Sequence, residues 1–305
     1  KSVSEPPGGR NSAVAASPRG PARRAADLLV SAPSARTSRM NDTLTIVWKA
    51  AVLGIVEGVT EFLPVSSTGH LIVASRALDF GSPQFEIFIQ LGAMLALTWV
   101  YRERLVVLAS DLPTRVPARL LLLKILVAFL PAALIGFATH HWIEEHLFRA
   151  SFVACTLIGG GILILLIDGP RRARGLADLE QTSFGQALGI GAGQALSLMP
   201  GVSRSGSTII AGLLAGLDRR AATDFSFLLA LPTMYAACLY TLWKARADLA
   251  GELGLAMAVG LVAAYLSALV VIRGFLAFVK NNSLRAFGWY RIAAGLLVLA
   301  WLAMS

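Results

Sequence analysis

Charged side chains are scarce in this sequence. Only 15% of the 305 residues are Asp, Glu, Lys or Arg, whereas a soluble globular protein carries about 25%. Hydrophobic residues make up 56% of the chain, and several apolar runs reach the roughly 20 residues that a helix needs to cross a bilayer. The composition therefore excludes an ordinary soluble domain and predicts an all-α integral membrane protein.

Cysteine is nearly absent as well. Cys155 and Cys238 each lie within an apolar run, which is typical of cysteines that pack as small hydrophobic residues. Two cysteines in this setting predict neither a disulfide framework nor a cysteine metal site.

Residues 1–39 lack aromatic side chains and the apolar core of a secretory signal. This segment is rich in Pro, Gly, Ser and Arg, a composition that cannot bury enough surface to fold alone. The sequence predicts a disordered extension here, and one hypothesis is that it reflects start-site choice, with Met40 as the native start. An organellar-type targeting arm is the alternative. Residues 40–305 are predicted to form the polytopic membrane domain.

Acidic residues are fewer than basic ones, and the net charge is +9. Residues 1–40 contain seven Lys or Arg and two Asp or Glu, so they supply +5 of that charge. The remainder is scattered over short loops, as expected for the cytoplasmic turns of a membrane protein. We therefore predict a bilayer as the surroundings and no nucleic-acid partner.

Eight apolar segments are present, and two of them are interrupted. Six uninterrupted segments are predicted to span the membrane: about 84–101, 118–139, 150–168, 223–243, 252–272 and 286–304. Segments 44–78 and 183–217 contain Pro, Gly and hydroxyl residues at their middles. Non-helical backbone at membrane depth persists only where protein or a water-filled cavity satisfies its polar groups. Each interrupted segment is therefore predicted to be a re-entrant hairpin of two half-helices.

The two interrupted segments resemble each other. A shift of 137 residues places Gly54-x-x-Glu57 on Gly191-x-x-Gln194, and the motif 65–69 on the motif 202–206. This predicts an internal duplication, with repeat one at about 44–168 and repeat two at about 183–304. Because each copy holds one hairpin and three spans, the second copy is expected to be inverted.

Loop charges give the predicted orientation. Four basic loops are predicted to be cytoplasmic, and the histidine-rich segment 140–146 is predicted to be an external turn. These loops are Arg102–Arg119, Arg171–Arg174, Arg219–Arg220 and Arg273–Arg285. Inverted repeats with paired broken helices place a binding site near the repeat interface.

The first interruption, in "GIVEGVTEFLPVSSTGH", carries two acids. Glu57 and Glu61 are four residues apart and share one helix face. Ionisable groups at membrane depth mark functional sites, and two carboxylates repel unless a cation, a proton or a basic group lies between them. The pair predicts a divalent metal site or general acid/base chemistry, with capping of the helix break as the alternative.

Hydroxyl groups and a histidine follow the acids. His70 lies four residues from Ser66 and three from Ser67, a spacing that allows an imidazole to exchange a proton with a hydroxyl. We predict catalytic roles for these three residues. Serine at this position can also cap the new half-helix.

The second interruption, in "PGVSRSGSTI", carries a cation in place of the acids. Hydroxyls, backbone N–H groups and a guanidinium at a helix start favour a phosphate. The predicted diphosphate-binding residues are Ser203, Arg204, Ser205 and Thr208. Pairing of Arg204 with Glu57 or Glu61 across the repeats is the structural alternative. Acids, hydroxyls and a phosphate clamp together fit phosphoryl transfer.

These two motifs, together with "FEIFIQLGAMLA", "FSFLLALP" and "YRIAAG", resemble those of the undecaprenyl-diphosphate phosphatase family of the bacitracin-resistance type. The likeness runs from Met40 to the C-terminus. It implies hydrolysis of a polyprenyl diphosphate to the monophosphate and inorganic phosphate in the bacterial inner membrane, with an active site that opens to the periplasm. It also implies recycling of the lipid carrier for peptidoglycan synthesis, bacitracin resistance, and a requirement for Mg²⁺ or Ca²⁺ at the acid pair.

Several alternatives stay open at this point. A polyprenyl-phosphate flippase would need the same anion site, and inverted repeats are transporter architecture. The attacking group is Ser66, Ser67 or water, and a homodimer is one of the candidate oligomeric states.

Overall fold

The computed structural model describes residues 43–169, 175–244 and 252–304. In this part of the chain ten α-helices follow one another: α1 Thr43–Thr60, α2 Ser67–Leu78, α3 Pro83–Asp111, α4 Val116–Leu147, α5 Ala150–Ile167, α6 Phe184–Ala195, α7 Arg204–Leu214, α8 Arg219–Lys244, α9 Glu252–Asn281 and α10 Arg285–Met304. The predicted all-α fold class is confirmed. The predicted extension 1–39 and the basic loop Arg171–Arg174 lie outside the described residues.

Seven helices of the described chain are long and apolar enough to cross a membrane, judged by length and composition. Six of them, α3, α4, α5, α8, α9 and α10, coincide with the six predicted spans, so the multi-pass prediction is confirmed. The seventh is α1, whose 18 residues extend about 27 Å. Helices α6 and α7 have 12 and 11 residues, too few to cross a bilayer alone.

Both predicted interruptions are present. The first helix of the first hairpin ends at Thr60, and α2 begins after a turn that contains Pro64. In the second hairpin a short 3₁₀ turn, Leu196–Leu198, follows α6, and α7 begins at Arg204. The chain therefore folds into two broken segments at the positions where the sequence places Pro and Gly.

The histidine-rich segment 140–146 departs from the prediction. The sequence predicts a turn there, but the structure corrects this, because α4 continues through the segment to Leu147. The segment contains neither Gly nor Pro, and its Glu and Trp residues sustain a helix once the preceding turns have formed. The chain reverses at Phe148 and Arg149 instead.

Small residues allow the long helices to approach closely. Helix α5 packs along α10, where a Cβ built on Gly161 would lie 2.6 Å from the carbonyl oxygen of Gly288. Any larger side chain at Gly161 would force the two backbones apart. Close backbone contact of this kind is a general source of helix association in membranes, where burial of apolar surface contributes little.

Asp168 joins three parts of the fold at the end of α5. Its carboxylate is fully buried and accepts a hydrogen bond from Nε of Arg219, at the start of α8, at 2.7 Å. The other carboxylate oxygen accepts from the backbone N–H of Leu284, in the turn between α9 and α10. This buried ion pair fixes the ends of four helices relative to one another.

Replacement of Asp168 by Ala should destabilise the protein, because it leaves the Arg219 guanidinium buried without its partner. Loss of one member of a buried ion pair costs about 3–5 kcal/mol. Thermal unfolding of the purified protein in detergent measures the effect. The matched control is Glu103→Ala, which removes the exposed ion pair with Arg102 and should cost less than about 1 kcal/mol. Equal melting temperatures for the two variants would contradict the role of Asp168.

Candidate active site

Each broken segment begins its second half-helix with a serine cap. Ser66 precedes α2 and adopts a φ of 73°, an uncommon conformation for a residue with a side chain; its hydroxyl accepts from the N–H of Gly69. Ser203 precedes α7, and its hydroxyl accepts from the N–H of Gly206 at 3.1 Å. The capping alternative predicted for the first helix start is therefore present, and the structure shows the same kind of cap at the second.

Serines of the second hairpin tie the two breaks together. Ser205 donates to the carbonyl oxygen of Leu63 at 2.8 Å, and Ser203 reaches the same oxygen at 3.4 Å. Leu63 lies in the first break, so the two half-helix starts meet. Ser203 and Ser205, predicted to bind diphosphate, make these contacts within the protein.

Glu61 lies at the centre of this meeting point. One carboxylate oxygen accepts from the hydroxyl of Ser67 at 2.6 Å, and the other accepts from Nη2 of Arg204 at 3.1 Å. Both ends of the ion pair are largely buried, with side-chain exposures of 11% for Arg204 and 4% for Glu61. The predicted pairing of Arg204 with an acid of the first broken segment is thus formed with Glu61.

Two groups besides Glu61 contact the guanidinium group of Arg204. Its Nη1 donates to the carbonyl oxygen of Ser226 on α8 at 3.2 Å, and its guanidinium carbon lies 5.8 Å from the centre of the Phe62 ring. Thr208 supports this arrangement, since its hydroxyl lies 2.6 Å from the hydroxyl of Ser226 and donates to the Arg204 carbonyl. Nε of Arg204 has no hydrogen-bond partner among the described residues. A donor therefore remains for an anion.

Glu57, the other acid of the first break, differs from Glu61 in having no hydrogen-bond partner among the described residues. This holds for both of its carboxylate oxygens, and the residue is 1% exposed. A buried, unpartnered carboxylate is costly unless a proton or a cation neutralises it. This donor set fits the divalent cation that the resemblance implies, because Mg²⁺ takes one or two carboxylates and completes its shell with water and phosphate oxygens. The described residues contain no cluster of three or more His, Cys, Asp or Glu that could hold a metal alone.

His70 is oriented away from the two serine hydroxyls. Its Nδ1 lies 2.7 Å from the carbonyl oxygen of Ser66, and its Nε2 lies 2.6 Å from the hydroxyl of Tyr290 on α10. The two rings are also stacked, with centroids 5.6 Å apart. A carbonyl can only accept, so Nδ1 carries the hydrogen and Nε2 accepts from Tyr290 when the ring is neutral. The hydroxyl of Ser67 contacts Glu61 instead.

Two neighbouring residues of α10, Tyr290 and Arg291, were not predicted as site residues. Arg291 is 2% exposed, and its guanidinium donates to four backbone carbonyls at 3.1–3.3 Å: those of Pro64, Thr156, Leu157 and Gly201. Two of these carbonyls belong to the breaks. An arginine in the middle of an apolar span is a sequence signal for a functional or structural site, and it could have identified this residue.

The arrangement can bind and activate a phosphate ester. Serine hydroxyl and carboxylate are in contact, so the carboxylate can accept the hydroxyl proton. The Arg204 guanidinium lies at the start of α7, and a guanidinium at a half-helix start favours an anion. These groups belong to elements that the fold holds rigidly, which is the requirement for stabilising charge in a transition state.

Comparisons with known proteins agree with this chemistry. A model of the bacitracin resistance protein BacA family matches residues 50–297. The chain is 47% identical over 261 residues to undecaprenyl-diphosphatase 2 of Rhodospirillum rubrum, a match that covers 84% of this chain and 95% of the relative. It is 46% identical over 266 residues to the undecaprenyl-diphosphatase of Methylobacillus flagellatus, covering 85% of this chain and 98% of the relative.

A third relative, the undecaprenyl-diphosphatase of Nitrosomonas europaea, is 48% identical over 258 residues, or 83% of this chain and 94% of the relative. The matches extend over both broken segments and all the helices that hold the site. This protein is a member of the bacitracin resistance protein BacA family.

Proposed function

We propose that this protein is a membrane phosphatase that hydrolyses undecaprenyl diphosphate to undecaprenyl monophosphate and inorganic phosphate. The observation that carries the proposal is the bridge formed by Glu61, which joins the Ser67 hydroxyl of one broken segment to the Arg204 guanidinium of the other. The names of the relatives support the choice of lipid. The reaction would recycle a lipid carrier for peptidoglycan synthesis and thereby confer bacitracin resistance.

In this mechanism the terminal phosphate binds at Arg204. The anion competes with Glu61 for the guanidinium, so substrate binding releases one carboxylate oxygen while the other keeps its contact with Ser67. Bidentate contact between guanidinium and phosphate oxygens stabilises the charge that spreads over them during transfer. Thr208 and Ser226 hold the clamp in place.

Ser67 is the better placed of the two candidate nucleophiles. Its hydroxyl donates to Glu61 at 2.6 Å, whereas the hydroxyl of Ser66 caps α2. Attack by Ser67 on the terminal phosphorus transfers its proton to Glu61 and expels the polyprenyl monophosphate. Hydrolysis of the resulting phosphoserine then gives inorganic phosphate and restores the serine.

The divalent cation, Mg²⁺ or Ca²⁺, is proposed to bind at Glu57 and Glu61. A bound cation would neutralise the buried Glu57 carboxylate and part of the diphosphate charge. Glu57 is suited to this role because its two oxygens have no protein partner in the described chain.

An apolar groove beside His70 suits the lipid chain. Helices α1, α2, α5 and α10 line this groove, whose volume is about 350 Å³. We call it the histidine groove, and its positions on α1 and α2 are Val56, Gly69, His70, Val73 and Ala74. A chain held there would leave its diphosphate next to the start of α2. Together with the predicted orientation, this supports an inner-membrane enzyme whose site opens to the periplasm.

Replacement of Arg204 by Lys should reduce phosphate release from a polyprenyl diphosphate in detergent at least about tenfold, or ~1.4 kcal/mol. Lysine keeps the charge but loses the planar fork. In detergent no membrane separates two sides, so only hydrolysis can be measured. If the protein were a flippase, the wild-type protein itself would release no phosphate. The control, Arg102→Lys, lies on an exposed surface and should retain full activity. Full turnover by Arg204→Lys would show that Arg204 acts only as a structural positive charge and not as a bidentate phosphate clamp.

A second prediction concerns the cation. Mg²⁺ at about 100 times its dissociation constant should stabilise the wild-type protein by about 2.7 kcal/mol, measured by thermal unfolding, and chelation should abolish activity. Glu57→Gln removes the unpartnered charge, so this variant should lose the Mg²⁺-dependent stabilisation without loss of stability in chelator. Full activity of the wild-type protein in excess chelator would refute the metal role.

The third prediction tests His70 and its contact with Tyr290. Because His70 does not contact the Ser67 hydroxyl, we assign it to the second step, as the group that takes a proton from the water that hydrolyses the phosphoserine. His70→Ala should then lower turnover by about 10²–10⁴-fold, the usual effect of a positioned proton-transfer group. Tyr290→Phe removes one hydrogen bond to the imidazole and should cost about tenfold. If Tyr290 acts through His70, the double variant should be no slower than His70→Ala alone. Tyr240→Phe, at an exposed tyrosine, is the control, and additive losses would show that the two residues act separately.

A further inference from the structure

A second apolar cavity lies along the second broken segment. It has a volume of about 550 Å³ and is lined mainly by α5, α6 and α7, and we call it the α7 cavity. Ligand pockets in proteins span roughly 300–1,000 Å³, so the cavity is large enough for several groups of a lipid chain. Leu163, Leu196 and Leu214 line it and are each about half exposed, which indicates an opening toward the lipid.

The α7 cavity and the histidine groove are lined at equivalent positions. The internal shift of 137 residues relates every α1 and α2 position of the histidine groove to a lining position of the α7 cavity. The equivalents of Val56, Gly69, His70, Val73 and Ala74 are, in that order, Gly193, Gly206, Ser207, Ile210 and Ala211. The duplicated segments have therefore each kept an apolar space along the second half-helix.

The polar end of the α7 cavity is cationic. Arg291 lines it, is almost fully buried, and forms no ion pair with an acid among the described residues. Its four carbonyl contacts use four of the five N–H groups of a guanidinium, which leaves one at Nη1. A Cβ built on Gly206, a cavity residue, would lie 3.4 Å from this Nη1. The free donor and the uncompensated charge thus lie at the cavity wall.

The reactive groups of the first segment have no counterpart here. The shift places Gln194 at the position of Glu57, Leu198 at that of Glu61 and Ser207 at that of His70. One buried cation with hydroxyls and no acid can hold a phosphate, but it offers no proton acceptor for hydrolysis.

We propose that the α7 cavity is a second, non-hydrolytic binding site for an isoprenoid lipid monophosphate, with the chain along α7 and the phosphate at Arg291. The identity of the occupant rests on the proposed function, because the equivalent groove beside His70 is the one assigned to the isoprenoid chain of the substrate. Charge complementarity selects an anionic lipid over a neutral one. The lack of acids in this cavity selects a product-like monophosphate that stays intact.

Photo-crosslinking tests this proposal. The full-length protein in detergent is illuminated with farnesyl monophosphate that carries a diazirine on its last isoprene unit, and the modified peptides are identified by mass spectrometry. We expect adducts at both the histidine groove and the α7 cavity. Farnesol, which lacks the phosphate, and inorganic phosphate, which lacks the chain, should each compete weakly. Absence of adducts from the α7 cavity would overturn the proposal.

Two glycine variants test whether the adducts form inside the α7 cavity. A Cβ on Gly189, which lines the α7 cavity, meets no atom within 4 Å, so the backbone there accepts a side chain, and Gly189→Leu is chosen to narrow the cavity. It should reduce labelling of the α7 cavity at least about tenfold and leave labelling of the histidine groove in place. Gly159→Leu, also in open space but outside both cavities, should change neither. Undiminished labelling of the α7 cavity in Gly189→Leu would refute the site.

Two further measurements separate the alternatives. Competition by phosphatidylglycerol as strong as that by unlabelled farnesyl monophosphate would make the cavity a general phospholipid site and refute the isoprenoid assignment. Phosphate release from farnesyl diphosphate by the wild-type protein is measured in parallel. Release from undecaprenyl diphosphate is measured beside it, and absence of release from that substrate would refute the proposed function, whereas the position of the adducts alone decides whether the second site exists.

Discussion

Backbone groups at the two helix breaks must find hydrogen bonds inside a membrane, and the rest of the site depends on how the protein supplies them. No water in the hydrocarbon region can satisfy a free carbonyl. Arg291 provides donors to the carbonyls of Pro64 and Gly201, one from each break, and Ser205 provides a donor to Leu63. These contacts hold two non-helical turns face to face and keep the starts of α2 and α7 together.

The buried site also brings together opposite charges, the carboxylate of Glu61 and the guanidinium of Arg204. Glu61 has partners on both oxygens, while Glu57, one helical turn away, has none in the described chain. This difference is the reason why the proposed mechanism gives the two acids different roles: Glu61 accepts a proton from Ser67, and Glu57 binds the cation. The buried, unpartnered carboxylate of Glu57 is a costly arrangement, and such costs are commonly concentrated at functional sites.

The 137-residue shift relates the two broken segments and also shows where they differ. The same apolar space follows the second half-helix of each segment, but the acids and histidine of the first segment correspond to Gln194, Leu198 and Ser207 in the second. In the proposed mechanism the first segment supplies the proton-transfer groups, and the second supplies the phosphate clamp at Arg204. The groups of the two segments come into contact because the two half-helix starts meet at Leu63.

The sequence by itself determined the membrane class, six spans, both broken segments and the main polar residues, because apolar length and the positions of Pro and Gly are local properties. It also indicated the pairing of Arg204 with an acid. It did not show that α4 continues through residues 140–146, since a polar composition is compatible with an exposed helix as well as with a turn. Only the tertiary structure decided that Ser67 contacts Glu61, that His70 contacts Tyr290, and that Arg291 joins the breaks. These partners are up to 227 residues apart in the chain, and helical periodicity specifies which face a side chain occupies but not which distant helix will pack against it.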